Sequence, residues 1–147
     1  MAAGGDRVSD GLKPYQYVVL RCVPRPDREE FLNVGVVLFC EQAGFLGAAW
    51  RLERSRLRAL AADLSIARLE SALDGIDQVC RGEAHARFAT GERATAYGTR
   101  ELVDSANSRF GLIKAPRSTV LQPGPVHGGL TADPAAELQR LLETLVG

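Results

Sequence analysis

The sequence has few cysteines and no long apolar segment. Its three cysteines, Cys22, Cys40 and Cys80, form no CxxC pair, and only two histidines are present, so the spacing predicts no metal site. Cys22 and Cys40 lie in apolar runs, which predicts buried free thiols in a reducing compartment. The first residues contain no hydrophobic segment of the kind found in secretory signal peptides. The sequence also contains no apolar run of the roughly 20 residues that span a bilayer. We therefore expect a cytoplasmic protein with no membrane contact.

The sequence also lacks net charge, because 18 lysines and arginines balance 18 aspartates and glutamates. Nucleic acids and anionic membranes usually select a basic excess, so this balance argues against such partners. The length of 147 residues and the hydrophobic fraction of 46% are ordinary for one globular domain. We expect a disordered tail over residues 1–13 and a single domain over residues 14–147.

Three strands are predicted at the start of this domain. Residues 15–23 (YQYVVLRCV) are rich in β-branched and aromatic side chains. Residues 33–40 are apolar on both faces, which predicts a central strand covered on both sides, or on one side and partly on the other. The short link at Gly44 leads to residues 45–52 and favours an antiparallel hairpin.

Two helices are predicted after the third strand. Ser65 is positioned to cap the second of them, and Gly82 to end it. Residues 83–98 show no periodicity and predict a loop. The first helix is predicted from one apolar stripe at i, i+3, i+4 and i+7, formed by Leu57, Leu60, Ala61 and Leu64.

The last part of the chain predicts a helix, a strand and a further helix. Thr99 is positioned to cap a short helix closed by Gly111. Residues 112–122 contain an extended segment that Pro116 interrupts, which predicts a sheet edge or a bulge there. Asp133 and the proline after it start the final helix. This order predicts an α+β fold, with a small antiparallel or mixed sheet of about four strands packed with three to four helices.

Residues 115–129 (APRSTVLQPGPVHGG) combine three prolines and three glycines, so their backbone path is constrained. In an extended segment Arg117 lies beside Thr119, which makes a half-site for a phosphate or carboxylate. His127 follows the Pro-Gly-Pro turn and could reach back as an acid, a base or a donor. A purely structural interpretation stays open, in which Arg117 pairs with a surface carboxylate and His127 bonds a loop carbonyl.

Arg21 is the other informative position. It lies in the middle of the first strand on the face of Tyr17 and Val19, where an unpaired charge is costly. It therefore needs an exposed edge, a partner such as Glu30, or a bound anion. The chain shows no dinucleotide fingerprint, phosphate loop or nucleophile motif, and we predict no cofactor.

Three segments carry a resemblance to a known family: YQYVVLRCVP, EEFLNVGVVLFC and, near the end, APRSTVLQPGPVHGGLTADPAAEL. Together they resemble the domain of unknown function 3037 family of bacterial proteins. The resemblance implies no activity, cofactor or catalytic residue, and it suggests a partner similar to a HipA-type kinase. The matching positions are Tyr17, Arg21, Pro24, Glu30, Asn33, Gly35, Pro116, Arg117, Ser118, Gln122, Pro123, Pro125, His127 and Asp133.

These observations leave alternative functions. The first hypothesis is a binding or accessory protein that works with a protein partner, for which the resemblance suggests a HipA-like kinase. The alternative is an enzyme acting on a phosphorylated or nucleotide-like small molecule, with Arg117 as anion clamp and His127 as acid or base. A third, nucleic-acid binding through the arginines near residues 51–58, conflicts with the zero net charge. The candidate ligand- or partner-binding residues are Arg21, Glu30, Asn33, Arg117, Ser118, Gln122 and His127.

Overall fold

A computed structural model describes residues 11–82, 105–115 and 119–146 of the chain. Within these ranges an antiparallel sheet of five strands packs with four α-helices, which confirms the predicted α+β class. The strands are β1 (Lys13–Cys22), β2 (Leu32–Cys40), β3 (Phe45–Trp50), β4 (Leu121–Pro123) and β5 (His127–Thr131). The helices are α1 (Arg54–Leu60), α2 (Ile66–Arg81), α3 (Ala106–Lys114) and α4 (Pro134–Leu145).

The sheet is organised around β1. On one side β1 pairs with β2, which in turn pairs with β3 in the predicted hairpin. On the other side β4 pairs with residues 20–22 and β5 with residues 13–17. Between them, the backbone N–H of Gly124 donates to the carbonyl of Val19 at 2.8 Å. Segments far apart in the sequence therefore lie side by side at this edge.

Apolar side chains cover both faces of β2, as its sequence predicted. Val37 and Phe39 face the helices α1, α2 and α3, whereas Val36 and Leu38 face α4. The pairing shifts beside Arg21, because Leu20 pairs with Gly35 and Arg21 with Asn33. Val34 is thus an extra residue that forms a β-bulge. The side chains of residues 32 and 33 therefore lie on the sheet faces opposite to those that regular alternation along β2 would give them.

The boundaries of α2 confirm the sequence analysis. The Ser65 hydroxyl accepts a hydrogen bond from the backbone N–H of Arg68, as expected for an N-cap. Gly82 ends the helix with a left-handed φ of 81°, a conformation that glycine adopts without a steric penalty.

The prediction for α1 was wrong at its end. The helix stops at Leu60, and Ala61 is extended with φ of −154° and ψ of 109°. Leu64 follows a turn in which its backbone N–H donates to the carbonyl of Ala61 at 3.2 Å. Leu64 is still buried. Its helical spacing in the sequence arises because a turn returns it to the same core.

The prediction for α3 also needs correction. Gly111 lies inside this helix, which begins after Ser105 and continues to Lys114. Phe110 and Ile113 are both buried, so packing of one helical face outweighs the low helix propensity of the glycine between them. Thr99 and the loop over residues 83–98 lie outside the described residues.

The extended segment predicted within residues 112–122 includes the start of a strand at the sheet edge. Residues 112–114 belong to α3, and of the described residues in this segment Leu121–Pro123 form a strand, β4, which pairs with β1 alone among the described strands. The strand β5 was not predicted. Its two glycines and the preceding prolines are typical of a turn, whereas pairing with β1 makes the segment a strand.

The first strand begins close to the predicted domain boundary, and the cysteines lie in the core. Lys13, assigned to the tail, begins β1, while residues 1–10 lie outside the described residues. Cys22 and Cys40 are buried and free, as predicted, and so is Cys80. Burial raises the pKa of Cys22 to about 11 and that of Cys80 to about 12, so both thiols stay protonated. No helix in the described ranges is long and apolar enough to cross a membrane.

The start of α4 provides a test of the fold. An Asp133 side-chain oxygen accepts a hydrogen bond from the backbone N–H of Ala136 at 3.2 Å. We expect Asp133→Ala to lower the free energy of unfolding by about 1 kcal/mol, and Asp133→Asn to preserve most of it, because asparagine caps equally well. Urea unfolding of the three proteins measures this difference. Equal losses in the two variants would contradict the assigned cap.

Candidate functional site

Three side chains of β1 meet residues from the far end of the chain. In the strand register Tyr15 pairs with Gly129 and Tyr17 with His127, while Arg21 lies against Gly124. Alternation along a strand places these odd-numbered residues on one face, the face that packs against α4. The constrained Pro-Gly-Pro segment and the first strand thus form one surface.

Arg21 is held by stacking and by a close backbone contact. Its Cζ lies 4.2 Å from the centre of the Phe31 ring, within the range of a cation–π interaction. A Cβ atom on Gly124 would lie 3.1 Å from the Arg21 Nε, so the absence of a side chain there makes room for the guanidinium. That Nε is buried and has no hydrogen-bond acceptor among the described residues. Arg21 is therefore fixed in place without a neutralising carboxylate in this part of the chain.

His127 lies on the ring of Tyr17. The two ring centres are 5.3 Å apart with an angle of 30° between the planes, and His127 is exposed. The backbone pairing of β1 with β5 sets this contact, so the imidazole is oriented while it stays open to solvent. We call the side chains of Tyr17, Arg21, Phe31 and His127 the Arg21 surface.

A half-buried hydrogen bond joins β1 to the first turn of α4. The Tyr15 hydroxyl donates to Oε2 of Glu137 at 2.5 Å, and Arg140 donates to both oxygens of that carboxylate at 2.9 and 2.6 Å. The hydrogen bonds from Arg140 lower the pKa of Glu137. Burial, followed by the contact with the Glu137 carboxylate, raises the pKa of Tyr15 to about 12. Tyr15 is therefore a neutral donor that holds α4 on the sheet.

Glu30 does not pair with Arg21. It accepts two hydrogen bonds from Arg28, at 2.9 and 3.1 Å, and both side chains are exposed. The left-handed residue Glu29, with φ of 56°, lies between these two partners at the end of a short 3-10 turn. The local turn supplies Glu30 with a nearer arginine, and the suggestion that it neutralises Arg21 was wrong.

Asn33 and Gln122 lie on either side of Arg21 in the sheet register. Each side-chain amide donates to a backbone carbonyl: Asn33 Nδ2 to Leu145 at 3.2 Å, and Gln122 Nε2 to Thr119 at 2.8 Å. Asn33 thereby fastens the last turn of α4. The sheet register thus brings Asn33 and Gln122 beside Arg21, while their amide nitrogens bond to the backbone.

Arg117 and Ser118 lie outside the described residues, so a joint site of Arg117 with His127 stays a prediction. Sequence reasoning missed Phe31, Glu137 and Arg140. The i, i+3 spacing of Glu137 and Arg140 was a signal for their ion pair. No local pattern could reveal the contact of Glu137 with Tyr15, which are 122 residues apart.

The fold defines a small α+β protein whose antiparallel sheet carries helices on both faces. Within that class the chain belongs to the family described as protein of unknown function (DUF3037), which matches residues 17–146. The match confirms the resemblance seen in the sequence and includes every residue of the Arg21 surface. A search of curated proteins and a search of solved structures each found no match.

The two neighbouring glycines of β5 give a matched test of the packing under Tyr15. A Cβ atom on Gly129 would lie 2.6 Å from the Tyr15 hydroxyl oxygen, whereas one on Gly128 would make an ordinary contact at 3.4 Å. We expect Gly129→Ala to destabilise the protein by about 1–3 kcal/mol, as overpacking does, and Gly128→Ala to cost less. Thermal and urea unfolding report the difference. A smaller loss for Gly129→Ala than for Gly128→Ala would contradict this geometry.

The hydroxyl of Tyr15 gives a second test. Its raised pKa predicts that one of the three tyrosines of the chain ionises near pH 12 while the protein is folded. Because the pKa of Tyr15 in the folded protein exceeds the ordinary tyrosine value of 10.0, the stabilising contribution is complete below pH 10 and falls between pH 10 and 12. Tyrosinate absorbance, with circular dichroism as the check on folding, measures the step.

Two variants identify the residue that ionises. Tyr15→Phe should remove the late step, and Glu137→Gln should move it to lower pH, since the carboxylate is one cause of the shift. A late step that persists in Tyr15→Phe would assign it to another tyrosine and contradict the prediction.

Proposed function

We propose that the protein is a binding or accessory protein that contacts a protein partner through the Arg21 surface. The observation that carries this proposal is the position of Arg21. Its guanidinium is stacked on Phe31, lies against Gly124 and lacks a carboxylate partner within the described residues. A half-buried charge held in one place is an available site for an acidic group of a partner.

The chemistry of Arg21 selects a carboxylate. A guanidinium presents donors in a planar fork that matches the two oxygens of an aspartate, a glutamate or a chain terminus. Stacking on Phe31 orients that fork before binding, which reduces the side-chain entropy lost when a complex forms. A partner carboxylate would also neutralise a charge that the described part of this chain leaves uncompensated.

The neighbouring side chains are of the kinds that dominate protein interfaces. Tyrosine and arginine are enriched among the residues whose truncation costs the most binding energy. Phe31 is 45% exposed although it is a large apolar ring, and His127 is exposed beside Tyr17. The Arg21 surface therefore combines a fixed charge with accessible aromatic area.

The spacing of these groups favours a protein over a small molecule. Arg21 lies four residues beyond Tyr17 along β1, which corresponds to roughly 13 Å. Tyr17 in turn contacts His127. A protein interface of about 800 Å² on each partner covers such a distance easily. In an enzyme, by contrast, the acid or base and the anion-binding residue would both have to lie within hydrogen-bond reach of one reacting group.

The family resemblance suggests a HipA-like kinase, and we propose a partner of that kind as the specific candidate. The three buried free thiols suit a reducing compartment, so we place the encounter in the cytoplasm.

Affinity co-purification from the native host tests the proposal. We expect the wild-type chain and the control Arg51→Gln, an exposed arginine after β3, to retain the same partner. Arg21→Gln and Phe31→Ala should lose it, with a cost of about 2 kcal/mol or more, as for a central interface residue. Arg21→Lys should also bind the partner weakly, because lysine keeps the positive charge but lacks the planar fork of donors.

Thermal unfolding of each variant separates loss of binding from loss of folding. The proposal is wrong if wild-type protein retains no partner, or if folded Arg21→Gln and Phe31→Ala retain the partner as well as Arg51→Gln does.

A further inference from the structure

A groove lies on the other face of the sheet, between α2 and the segment that contains β4. One cavity of about 570 Å³ adjoins a second of about 250 Å³, and the two share Ala72, Thr119 and Leu121 in their walls. The larger one falls in the usual size range of small-molecule sites, about 300–1,000 Å³. We propose that this groove binds an amphipathic carboxylate, an elongated apolar molecule with one anionic end.

The floor of the groove is apolar. Leu69 on α2 and Leu121 on β4 are buried core residues that line the larger cavity, and Ile76 and Ile113 line the smaller one. None of the residues that line the smaller cavity is charged. An alkyl or aromatic body therefore finds apolar contacts along the whole groove, at the favourable free energy of apolar burial.

Small residues on α2 keep the groove open. Ala72 lines both cavities and is exposed, and Gly75 lines the smaller one. A Cβ atom placed on Gly75 would meet no atom within 4 Å among the described residues. Glycine at the centre of a helix lowers the stability by about 1 kcal/mol relative to alanine. Helix stability therefore does not explain the glycine at position 75. The helix face leaves room for a molecule that lies along it.

Positive charge is concentrated at one end of the groove. Arg25 and Arg68 line the larger cavity beside Ser65, the N-cap of α2, and the partial positive charge of that helix end adds to theirs. Arg25 is 3.7 Å from Asp27 in an exposed pair, and Arg68 forms no ion pair with a described residue. Asp63 is the opposing charge in the lining. Because Asp27 offsets Arg25, Arg68 and the adjacent helix end are the positive groups that select an anion.

The charged and apolar ends are separated along α2. Arg68 lies in the first turn of this helix and Val79, in the wall of the smaller cavity, near its end, about 16 Å away at the rise of an α-helix. A molecule with its carboxylate at Arg68 would thus extend its apolar part over Ala72 and Gly75. This polarity distinguishes the groove from the Arg21 surface on the opposite face, and the inference does not depend on the proposed function.

Titration of the full chain with decanoate, followed by amide chemical shifts and calorimetry, tests the proposal. We expect decanoate to bind with one site and to shift the amide signals of Ala72 and Thr119. Decyltrimethylammonium, which has the same alkyl chain and the opposite charge, should bind at least about tenfold more weakly, because it lacks the charge-assisted bonds to arginine.

Matched variants separate the groove from the remaining surface. Ala72→Trp should fill the groove and abolish binding, whereas Ala67→Trp, at an exposed position of the same helix outside the lining, should have no effect. Arg68→Gln should weaken decanoate binding and Asp63→Asn should strengthen it, while Arg51→Gln leaves it unchanged. Circular dichroism verifies that each variant is folded.

Three results would overturn the inference. The first is the absence of decanoate binding to the wild-type chain. The second is equal affinity for decanoate and for the cation, and the third is an equal response to Ala72→Trp and Ala67→Trp. The amide shifts are measured on the wild-type chain, so they decide the location of binding even if a variant fails to fold.

Discussion

The antiparallel pairing of β1 with β5 determines where the side chains of the candidate surface lie. It places Tyr17 beside His127 and Tyr15 over Gly129, and it brings the segment that contains Gly124 against Arg21. The same pairing positions Glu137 to accept the Tyr15 hydrogen bond, which holds α4 on the sheet. A single strand pairing thus determines both the packing of α4 against the sheet and the surface beside it.

The two faces of the sheet are built differently. On the face of α4 the polar groups are used for attachment: Tyr15 bonds to the first turn of the helix and Asn33 to its last turn. On the other face the packing is mainly apolar, and α2 supplies most of the buried helical side chains. A fixed charge therefore belongs to one face and an apolar groove to the other, so the two proposed binding sites do not compete for the same residues.

Local patterns in the sequence predicted the elements well where one interaction dominates. The strand rich in β-branched residues, the doubly apolar strand, the Ser65 cap and the Asp133 cap all depend on neighbours within a few residues, and each was confirmed. The errors fall where long-range contacts decide. Helix α1 ends early because a turn carries Leu64 to the core, and β5 is a strand only because β1 is beside it.

The candidate site shows the same limit. The mid-strand charge of Arg21 marked it as unusual, and His127 was marked by its rigid frame. Phe31 was not marked, because nothing in the local spacing links its ring to Arg21. The role of Gly124 was also hidden, since a glycine in a turn and a glycine beneath a guanidinium look alike in a sequence.

The hydrogen bond between Tyr15 and Glu137 has a consequence for folding during synthesis. Its partners are 122 residues apart, so β1 is made long before the segment that completes its edge. Until residues 127–146 leave the ribosome, the α4 face of β1 and β2 has no cover from that helix, and the ring of Tyr17 has no His127 beside it. Contacts of such separation form slowly. The surface proposed to recognise a partner therefore exists only on chains whose synthesis has passed this segment.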